Sequence, residues 1–365
     1  MKKISIALFS TSSVHAPHYI NSLPLDSRYN WVASSVAKED RGIPDLKNIP
    51  NYVKIYEREE DLLNAHPDLD AVILCGSNNL TFNQFKLCAE RGIKNVILMK
   101  IPTMFINEYE EMQRLAKEND MIVQIELEMR ANHTVKRLKK LCEEGAIGNL
   151  LSIQINNTTV VLPPNIMPWV TNPELSYGKK IELIKDSGMF RGGCLTDHPH
   201  PFDLARFLTG SEFESIYAQT TPNIRGKYKI EEGVFVACKM KNGVCVTIDP
   251  SYSRHESKQL PLTACGPGWE GYPKRVEVNV VLNGDKGSII ADCFHSGVYH
   301  TGLPHNTYAY EYLAGETHYE TMLDYFYNSI VAHTTPYVNL DLHKNNIKAI
   351  IACYESIYCN KKVCL

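Results

Sequence analysis

The chain has 365 residues, a length that fits two domains, each large enough to bury its own core. Its net charge of -3 gives no electrostatic reason to expect nucleic acid or an anionic membrane surface as a partner. We therefore expect a small-molecule ligand. No apolar run approaches the length that spans a bilayer.

The cysteines indicate a reducing compartment. There are 11 of them, an odd number without a CxxC pair, and most lie in apolar runs, as Cys75, Cys238 and Cys353 do. The apolar run from Ile4 to Phe9 is shorter than an export signal requires and is typical of a first strand. We therefore expect a cytoplasmic protein.

Residues 1–125 alternate short apolar runs with helical patterns. This alternation predicts a parallel, doubly wound sheet of the Rossmann type, in which ligands bind beyond the carboxyl ends of the strands. The predicted strands are Ile4–Phe9, Trp31–Val36, Val53–Ile55, Ala71–Leu74, Val96–Met99 and Ile122–Gln124, and the helices between them include Glu59–Asn64, Thr81–Arg91 and Glu108–Glu118.

Residues 126–365 follow a different pattern. A helix over His133–Glu144 leads into them, and alternating apolar residues on both sides of Asn242-Gly243 predict a hairpin. We expect an α+β domain with a mainly antiparallel, open sheet and a final helix at about 340–359. The long stretches 157–190 and 251–273 have no clear period and are predicted to be binding loops or lids.

The candidate active site is the stretch from Arg191 to Leu204. Gly192-Gly193 allow a tight turn, Asp197 or His198 can cap a helix, and Pro199 suits its first turn. His200 and Asp203 are three apart on that helix, and an imidazole beside a carboxylate is suited to proton transfer. The alternative is that Asp197 is only a cap and the histidines line a polar turn.

The loop after the first strand is the candidate cofactor site. Where a dinucleotide fold carries GxGxxG, this loop has Ser10, Thr11, Ser12, Ser13 and His15 and none of the expected glycines. Hydroxyl groups at a helix N-terminus can still bind a phosphate. The place of a ribose-binding acid holds Val36-Ala37, and the nearby Glu39 and Asp40 suit solvated loop charges better.

Two further positions at strand ends are candidates. Asn78 could hold a ribose hydroxyl or cap a helix that begins near Thr81. Lys100 follows a buried strand, where partial desolvation suits it to proton transfer or to polarising a carbonyl. The alternative for Lys100 is a side chain that extends from the strand end into solvent.

The order of these parts resembles the Gfo/Idh/MocA family of sugar and inositol dehydrogenases over nearly the whole chain. The resemblance rests on Lys100-Ile101-Pro102, on the segment from Arg130 to Gly148 and on Gly192-Gly193-Cys194-Leu195-Thr196-Asp197. The family's Glu-Lys-Pro places Ile101 at the catalytic lysine if Pro102 is aligned, with Lys100 one residue early. The family's histidine corresponds to His200 only if one residue is deleted.

The resemblance implies an N-terminal Rossmann domain, a C-terminal α/β domain with an open sheet, and NAD or NADP as cofactor. It implies oxidation or reduction of a hydroxyl carbon of a sugar, polyol or cyclitol, and a homo-oligomer formed through the open sheet. In this interpretation Asp197 and His200 hold the substrate hydroxyl, His200 takes its proton with His198 as competitor, and Lys100 stabilises the alkoxide. The expected cofactor-binding residues are Ser10, Thr11, Ser12, Ser13, His15, Asn78, Lys100 and Pro102.

Two other hypotheses stay open. The first is a carbohydrate-modifying enzyme that retains its nicotinamide or uses a metal held by Asp197, His198 and His200, with Glu231, Glu232 or His255. The second is a ligand-binding protein that kept the fold without catalysis. Turnover with a polyol separates the second hypothesis from both enzymatic ones.

Overall fold

The structure is a computed structural model that describes residues 3–11, 13, 15–36, 44–76, 78–159, 193–223, 230–252, 276–293, 297–302, 307–312 and 318–365. These residues form two units. The first consists of Met1–Leu127 with Tyr319–Lys344, and the second of Glu128–His318 with Asn345–Leu365. The sequence boundary near residue 125 therefore lies close to the first junction, but the structure adds a segment from the C-terminal part to the first unit.

The first unit is built on a six-stranded sheet in the order β3-β2-β1-β4-β5-β6, with all neighbouring strands parallel. Its strands are short and mostly buried, as the apolar runs predicted. They are β1 (Ile4–Phe9), β2 (Tyr29–Ser35), β3 (Lys54–Tyr56), β4 (Ala71–Leu74), β5 (Asn95–Leu98) and β6 (Ile122–Ile125). The predicted doubly wound parallel sheet is confirmed, with strand ends shifted by one or two residues.

Helices connect these strands, since parallel neighbours need a crossover. They are α1 (Ala16–Ser22), α2 (Glu59–Ala65), α3 (Asn78–Glu90) and α4 (Ile106–Glu118), with 3₁₀ turns at Leu23–Leu25 and Pro44–Asn48. The prediction that α3 begins near Thr81 is wrong by one turn, because Asn78 is already its first residue. Asn78 is therefore inside the helix and does not cap a helix that begins later.

The segment Tyr319–Lys344 joins the first unit through packing and hydrogen bonds. It contains most of a helix, α8 (His318–Ala332), whose Leu323 and Phe326 belong to the same apolar core as Trp31 of β2. The Tyr29 hydroxyl donates to the Leu323 carbonyl at 2.7 Å, and Gln124 Nε2 donates to the Met322 carbonyl at 3.0 Å. Contacts of such sequence separation leave no local pattern, so the sequence did not predict them.

The second unit carries a nine-stranded sheet in the order β14-β13-β12-β11-β7-β10-β9-β8-β15. Only the β10–β7 pair is parallel, so the predicted mainly antiparallel sheet is confirmed. The strands are β7 (Leu150–Thr159), β8 (Phe213–Thr220), β9 (Val234–Met240), β10 (Cys245–Asp249), β11 (Val276–Gly284), β12 (Ser288–Asp292), β13 (Gly297–Gly302), β14 (Thr307–Tyr312) and β15 (Val363–Cys364).

The hairpin predicted at Asn242-Gly243 forms between β9 and β10. Residues along β9 alternate strictly between buried and exposed, and Gly243 has φ of 90°, a left-handed conformation that favours glycine. The stretch predicted as a loop from residue 157 begins inside β7, which continues to Thr159. Residues 160–192 and 253–275, which hold the rest of the two predicted binding loops, lie outside the described residues.

The remaining helices are α5 (His133–Glu143), α6 (Cys194–Asp197), α7 (His200–Thr209) and α9 (Leu340–Cys359), with a 3₁₀ turn at Glu128–Ala131. Asn132 caps α5 by accepting from the Val135 N–H at 3.2 Å, and Gly210 ends α7 with φ of 62°. The start of α5 at His133 and the final helix were predicted. Among the helices that the structure describes, none is long and apolar enough to cross a membrane.

Candidate functional site

The turn that carries Asp197 is held by a buried carboxylate. Glu231 Oε1 accepts from the N–H groups of Gly193 at 3.1 Å and Leu195 at 3.4 Å, and from the Tyr354 hydroxyl at 2.5 Å. A Cβ at residue 193 would lie 2.2 Å from the Glu231 carbonyl oxygen, so only glycine allows this approach. The glycine of the motif thus serves close packing against Glu231.

Burial raises the pKa of Glu231, although the hydrogen bond from Tyr354 and those from the backbone lower it in opposition. Desolvation is the largest contribution because the side chain is wholly enclosed. Glu231 Oε2 has no hydrogen-bond partner in the described part of the chain. The sequence hypothesis that Glu231 is a metal ligand therefore meets a carboxyl group already engaged in holding the turn.

Asp197 is the last residue of α6, and its Oδ2 accepts a hydrogen bond of 3.0 Å from the Tyr252 hydroxyl. The prediction that Asp197 or His198 caps the next helix is wrong. Pro199 is the N-cap residue of α7, and no side chain bonds the first N–H groups there. Asp197 therefore does not cap α7, and Tyr252 orients its carboxylate.

His198 is fixed by a backbone acceptor. Its Nδ1 lies 2.5 Å from the carbonyl oxygen of Pro250, and its ring packs edge-on against Tyr252 at 5.4 Å between centroids. A carbonyl can only accept, so Nδ1 carries the hydrogen and Nε2 holds the lone pair of the neutral ring. That Nε2 is 3.7 Å from Asp197 Oδ2.

His200 pairs with an acid that the sequence analysis missed. Its Nε2 lies 3.2 Å from Glu128 Oε1, with both side chains almost fully buried. Nδ1 of His200 is buried and has no hydrogen-bond partner among the described residues. The only sequence signal for Glu128 was its position just beyond the end of β6, where acids and bases commonly serve a site.

The expected pairing of His200 with Asp203 is wrong. Asp203 is bound by Arg130, from Nε at 2.5 Å and from Nη2 at 3.0 Å, and also accepts from Asn346 at 2.9 Å. Arg206, one turn further along α7, donates to Asn346 at 2.9 Å. Asp203 is therefore a buried structural anion that fixes α7 to its neighbours.

In the first unit, backbone N–H groups of the loop after β1 donate hydrogen bonds to other residues of the protein. Ser10 is left-handed with φ of 61°, and its N–H donates to Ser35 Oγ at 2.9 Å. The Ser13 N–H donates to the Cys75 carbonyl at 2.9 Å. The Thr11 hydroxyl is buried and has no hydrogen-bond partner in the described part, whereas Ser12 lies outside the described residues.

His15 is the N-cap residue of α1 and contacts a second acid that the sequence analysis missed. Its Nδ1 is 2.5 Å from the Tyr319 hydroxyl and 3.0 Å from Glu126 Oε1. His18 stacks on the same Tyr319 ring at 3.9 Å between centroids. Glu126 directly follows β6 and is fully buried, so it lies at the carboxyl edge of the sheet, where such folds bind ligands.

Lys100 follows β5, as predicted, and is partly buried. Ile101, which aligns with the family lysine, is 1% exposed and contributes to the core, and Pro102 is buried beside it. Ser10, Thr11, Ser13, His15, Asn78, Lys100 and Pro102 all belong to the first unit, whereas Asp197, His198 and His200 belong to the second.

The described residues do not assemble the metal site that the sequence suggested around Asp197. Within the described ranges, no group of three metal-ligating side chains includes Asp197, His198 or His200. His255 lies outside those ranges. What the second unit does assemble is an acid held by a tyrosine and two oriented imidazoles, an arrangement suited to moving a proton.

Residues 135–290, which contain this arrangement, match the family model for the GFO/IDH/MocA C-terminal domain. The myo-inositol 2-dehydrogenase of Thermotoga maritima is 26% identical over 290 residues, which cover 79% of this chain and 74% of the relative. These matches agree with the resemblance first seen in the motifs.

Two solved structures have the same fold. An oxidoreductase from Agrobacterium radiobacter, in complex with NAD⁺, L-tartaric acid and magnesium, superposes with a TM-score of 0.78 at 15% identity and covers 100% of this chain and 98% of that one. The aldose-aldose oxidoreductase of Caulobacter crescentus, in complex with glycerol, has a TM-score of 0.78 at 18% identity and covers 100% of both chains.

Proposed function

We propose that this chain, in which residues 135–290 match the GFO/IDH/MocA C-terminal domain, is an NAD(P)-dependent oxidoreductase that acts on a hydroxyl or keto carbon of a sugar, cyclitol or related carbohydrate. One observation carries the proposal. Asp197 and His200 lie three residues apart at the α6–α7 junction, each oriented by a buried partner, Tyr252 and Glu128. This junction lies within the matched family domain.

The first unit fits a dinucleotide. Its strand order reverses direction between β1 and β4, and ligands of doubly wound sheets bind at that point. The orphaned Thr11 hydroxyl lies at the end of β1, and a buried polar group without a partner is costly unless a ligand satisfies it. The residues that would hold the cofactor are Ser10, Thr11, Ser13, His15, Asn78, Lys100 and Pro102, with Ser12 in the same loop.

The loop binds by a different chemistry from a glycine-rich one. Since the Ser10 and Ser13 N–H groups are already used, hydroxyl groups would replace backbone amides as donors to the diphosphate. NAD and NADP both remain within the proposal, because Val36-Ala37 occupy the place of a ribose-binding acid in the sequence.

Each catalytic side chain has a role. Asp197 and His200 hold the substrate hydroxyl, His200 takes its proton, and Lys100 stabilises the negative charge that develops on the oxygen. When bound, the nicotinamide would accept the hydride from the carbon that carries this hydroxyl. His198 is the weaker candidate for the base, since its hydrogen bond to Pro250 directs Nε2 towards Asp197.

Mass and absorbance spectra of the purified protein, denatured to release any nucleotide, test the proposal first. Titration with NADH and NADPH follows, and then oxidation of myo-inositol, sugars and polyols with either cofactor. Binding and turnover are expected. Failure of both nucleotides to bind at millimolar concentration would overturn the oxidoreductase assignment.

A second candidate is an oxidoreductase that retains its nicotinamide through a full cycle. The Caulobacter crescentus structure favours it, since its name gives aldoses as both reactants. Here the spectra would show released dinucleotide, and the protein would reduce one carbohydrate with another without added cofactor.

The proposal includes a cytoplasmic homo-oligomer. All ten cysteines that the structure describes are free thiols, which supports a reducing compartment. Phe235 and Ile290 are more than half exposed on strands of the nine-stranded sheet, which supports a partner on that sheet. Light scattering of the purified protein tests the oligomer, and a monomer at micromolar concentration would exclude it.

A further inference from the structure

We propose that Glu128 is a positioning residue for His200, with its carboxylate accepting the Nε2–H so that Nδ1 is the nitrogen that takes the substrate proton. This inference rests on the proposed function for the role of His200, but the contact itself does not. Glu128 Oε1 lies 3.2 Å from His200 Nε2, a distance suited to a hydrogen bond between an imidazole and a carboxylate.

The pairing is enforced by a second, reversed ion pair. Glu128 and Arg130 lie on one 3₁₀ turn, and His200 and Asp203 lie one turn apart on α7. Glu128 of the 3₁₀ turn contacts His200 of α7, and Arg130 of the turn contacts Asp203 of α7. If the 3₁₀ turn shifted along α7 by one ion pair, Glu128 would face Asp203. Two buried like charges repel strongly. The register of these two elements therefore fixes Glu128 against His200.

Burial strengthens the argument. Glu128 is 6% exposed and His200 is 4% exposed. A buried carboxylate requires hydrogen bonds or a positive partner, which the imidazole N–H supplies. The same contact leaves His200 Nδ1 as the basic nitrogen, and that atom has no hydrogen-bond partner among the residues described. An unpaired buried nitrogen is costly, and a hydrogen bond from a substrate hydroxyl would remove that cost.

The proton balance follows from this geometry. As the substrate O–H bond breaks, its proton forms a bond to Nδ1, and the imidazole becomes a cation. The imidazolium then lies 3.2 Å from the Glu128 carboxylate, which stabilises the new positive charge. The carbon that carries this hydroxyl would give its hydride to the nicotinamide, which is the oxidant named in the proposed function.

Proton NMR of the whole protein tests the contact without substrate. An imidazole N–H held by a buried carboxylate gives a far-downfield signal that exchanges slowly with water, and nitrogen-15 labelling with His200→Gln assigns it to His200. We expect the signal in the native protein and in Glu144→Gln, an exposed control at the end of α5. We expect it to disappear in Glu128→Ala and to return in Glu128→Asp.

Kinetics with an accepted substrate test the role. Glu128→Gln is expected to lower kcat on the order of 10²-fold, at the lower end of what a placed acid–base group contributes, with KM little changed. Partial rescue by Glu128→Asp distinguishes positioning from folding. A native protein without the downfield signal, or an unchanged kcat in Glu128→Gln, would overturn the inference. Absence of any turnover with the signal present would overturn the proposed function and leave the contact standing.

Discussion

Arg130 holds Asp203 by two hydrogen bonds inside the second unit, from Nε to Oδ2 at 2.5 Å and from Nη2 to Oδ1 at 3.0 Å. Both side chains are nearly inaccessible, at 7% and 2% exposure. Asp203 is thus neutralised by an arginine from the 3₁₀ turn Glu128–Ala131, and the His200 imidazole takes its carboxylate from the same turn.

Removing this aspartate is expected to destabilise the protein strongly. In Asp203→Ala the buried Arg130 charge loses its carboxylate, which costs about 3–5 kcal/mol. The urea midpoint should fall accordingly. Arg114→Gln is the matched control, because Arg114 forms its ion pairs at the surface and solvent screens them. Equal midpoints for the two variants would show that the buried pair contributes no more than a surface one.

His200→Ala is expected to lower kcat by about 10²- to 10⁴-fold, since a general base contributes that much. His198→Ala should have a smaller effect on kcat and mainly raise KM, because the His198 ring orients Asp197. Steady-state kinetics of both variants with the same polyol checks this. Full turnover in His200→Ala would remove His200 from the role of base.

Stability should depend on pH through Glu231. Burial raises its pKa above the ordinary value of 4.5, so the stability it contributes is complete below pH 4.5 and is lost as the pH rises through the folded-state pKa. Glu231→Gln cannot ionise and should lose this dependence. As the pH rises, the unfolding midpoint of Glu231→Gln is therefore expected to increase relative to that of the native protein. A difference independent of pH would contradict the prediction.

Gly193→Ala is expected to lower both stability and kcat. The new Cβ would meet the Glu231 carbonyl oxygen at 2.2 Å, and such overpacking costs about 1–3 kcal/mol. The displaced turn carries Asp197, so activity falls with it. Gly243→Ala is the control: its Cβ meets nothing within 4 Å, and only its left-handed φ of 90° is strained. That variant should lose about 1 kcal/mol and keep its kcat. Thermal melts and kinetics of both variants test the contrast.

Thr11→Val is expected to weaken dinucleotide binding without destabilising the free protein. Valine removes a buried hydroxyl that has no partner in the described part of the chain, so nothing is lost on folding. One lost hydrogen bond to the cofactor, about 0.5–1.5 kcal/mol, corresponds to a Kd raised roughly 2- to 12-fold.

Thr134→Val provides the comparison, because Thr134 on α5 also has a buried hydroxyl without a partner among the residues described. It lies in the second unit, so NADH titration should give the native Kd. Equal affinities for native protein and Thr11→Val would exclude Thr11 from the cofactor site.

Local patterns predicted most of the fold. The alternation of apolar runs with helices gave the parallel sheet, and Asn242-Gly243 gave the hairpin between β9 and β10. They also gave the final helix, Leu340–Cys359. These features depend on neighbours within a few residues, which a single sequence displays directly.

The details of the site were predicted less well. The motif placed Asp197, His198 and His200 on consecutive short elements, but it suggested caps and an imidazole–carboxylate pair that do not form. Which atom of each histidine carries the proton depends on Pro250 and Glu128, which are 52 and 72 positions away in the chain.

The sequence by itself determined the two kinds of domain, the order of their elements and the resemblance to the Gfo/Idh/MocA family, because periodicity, turn residues and short motifs are local. Only the tertiary structure decided that Tyr319–Lys344 packs into the first unit. It also decided that Glu231 and Tyr354 hold the turn that carries Asp197. The same is true of the two buried pairs, Arg130 with Asp203 and Glu128 with His200. Burial makes an unpaired charge or polar group costly, and which partner relieves that cost is settled when distant segments pack together.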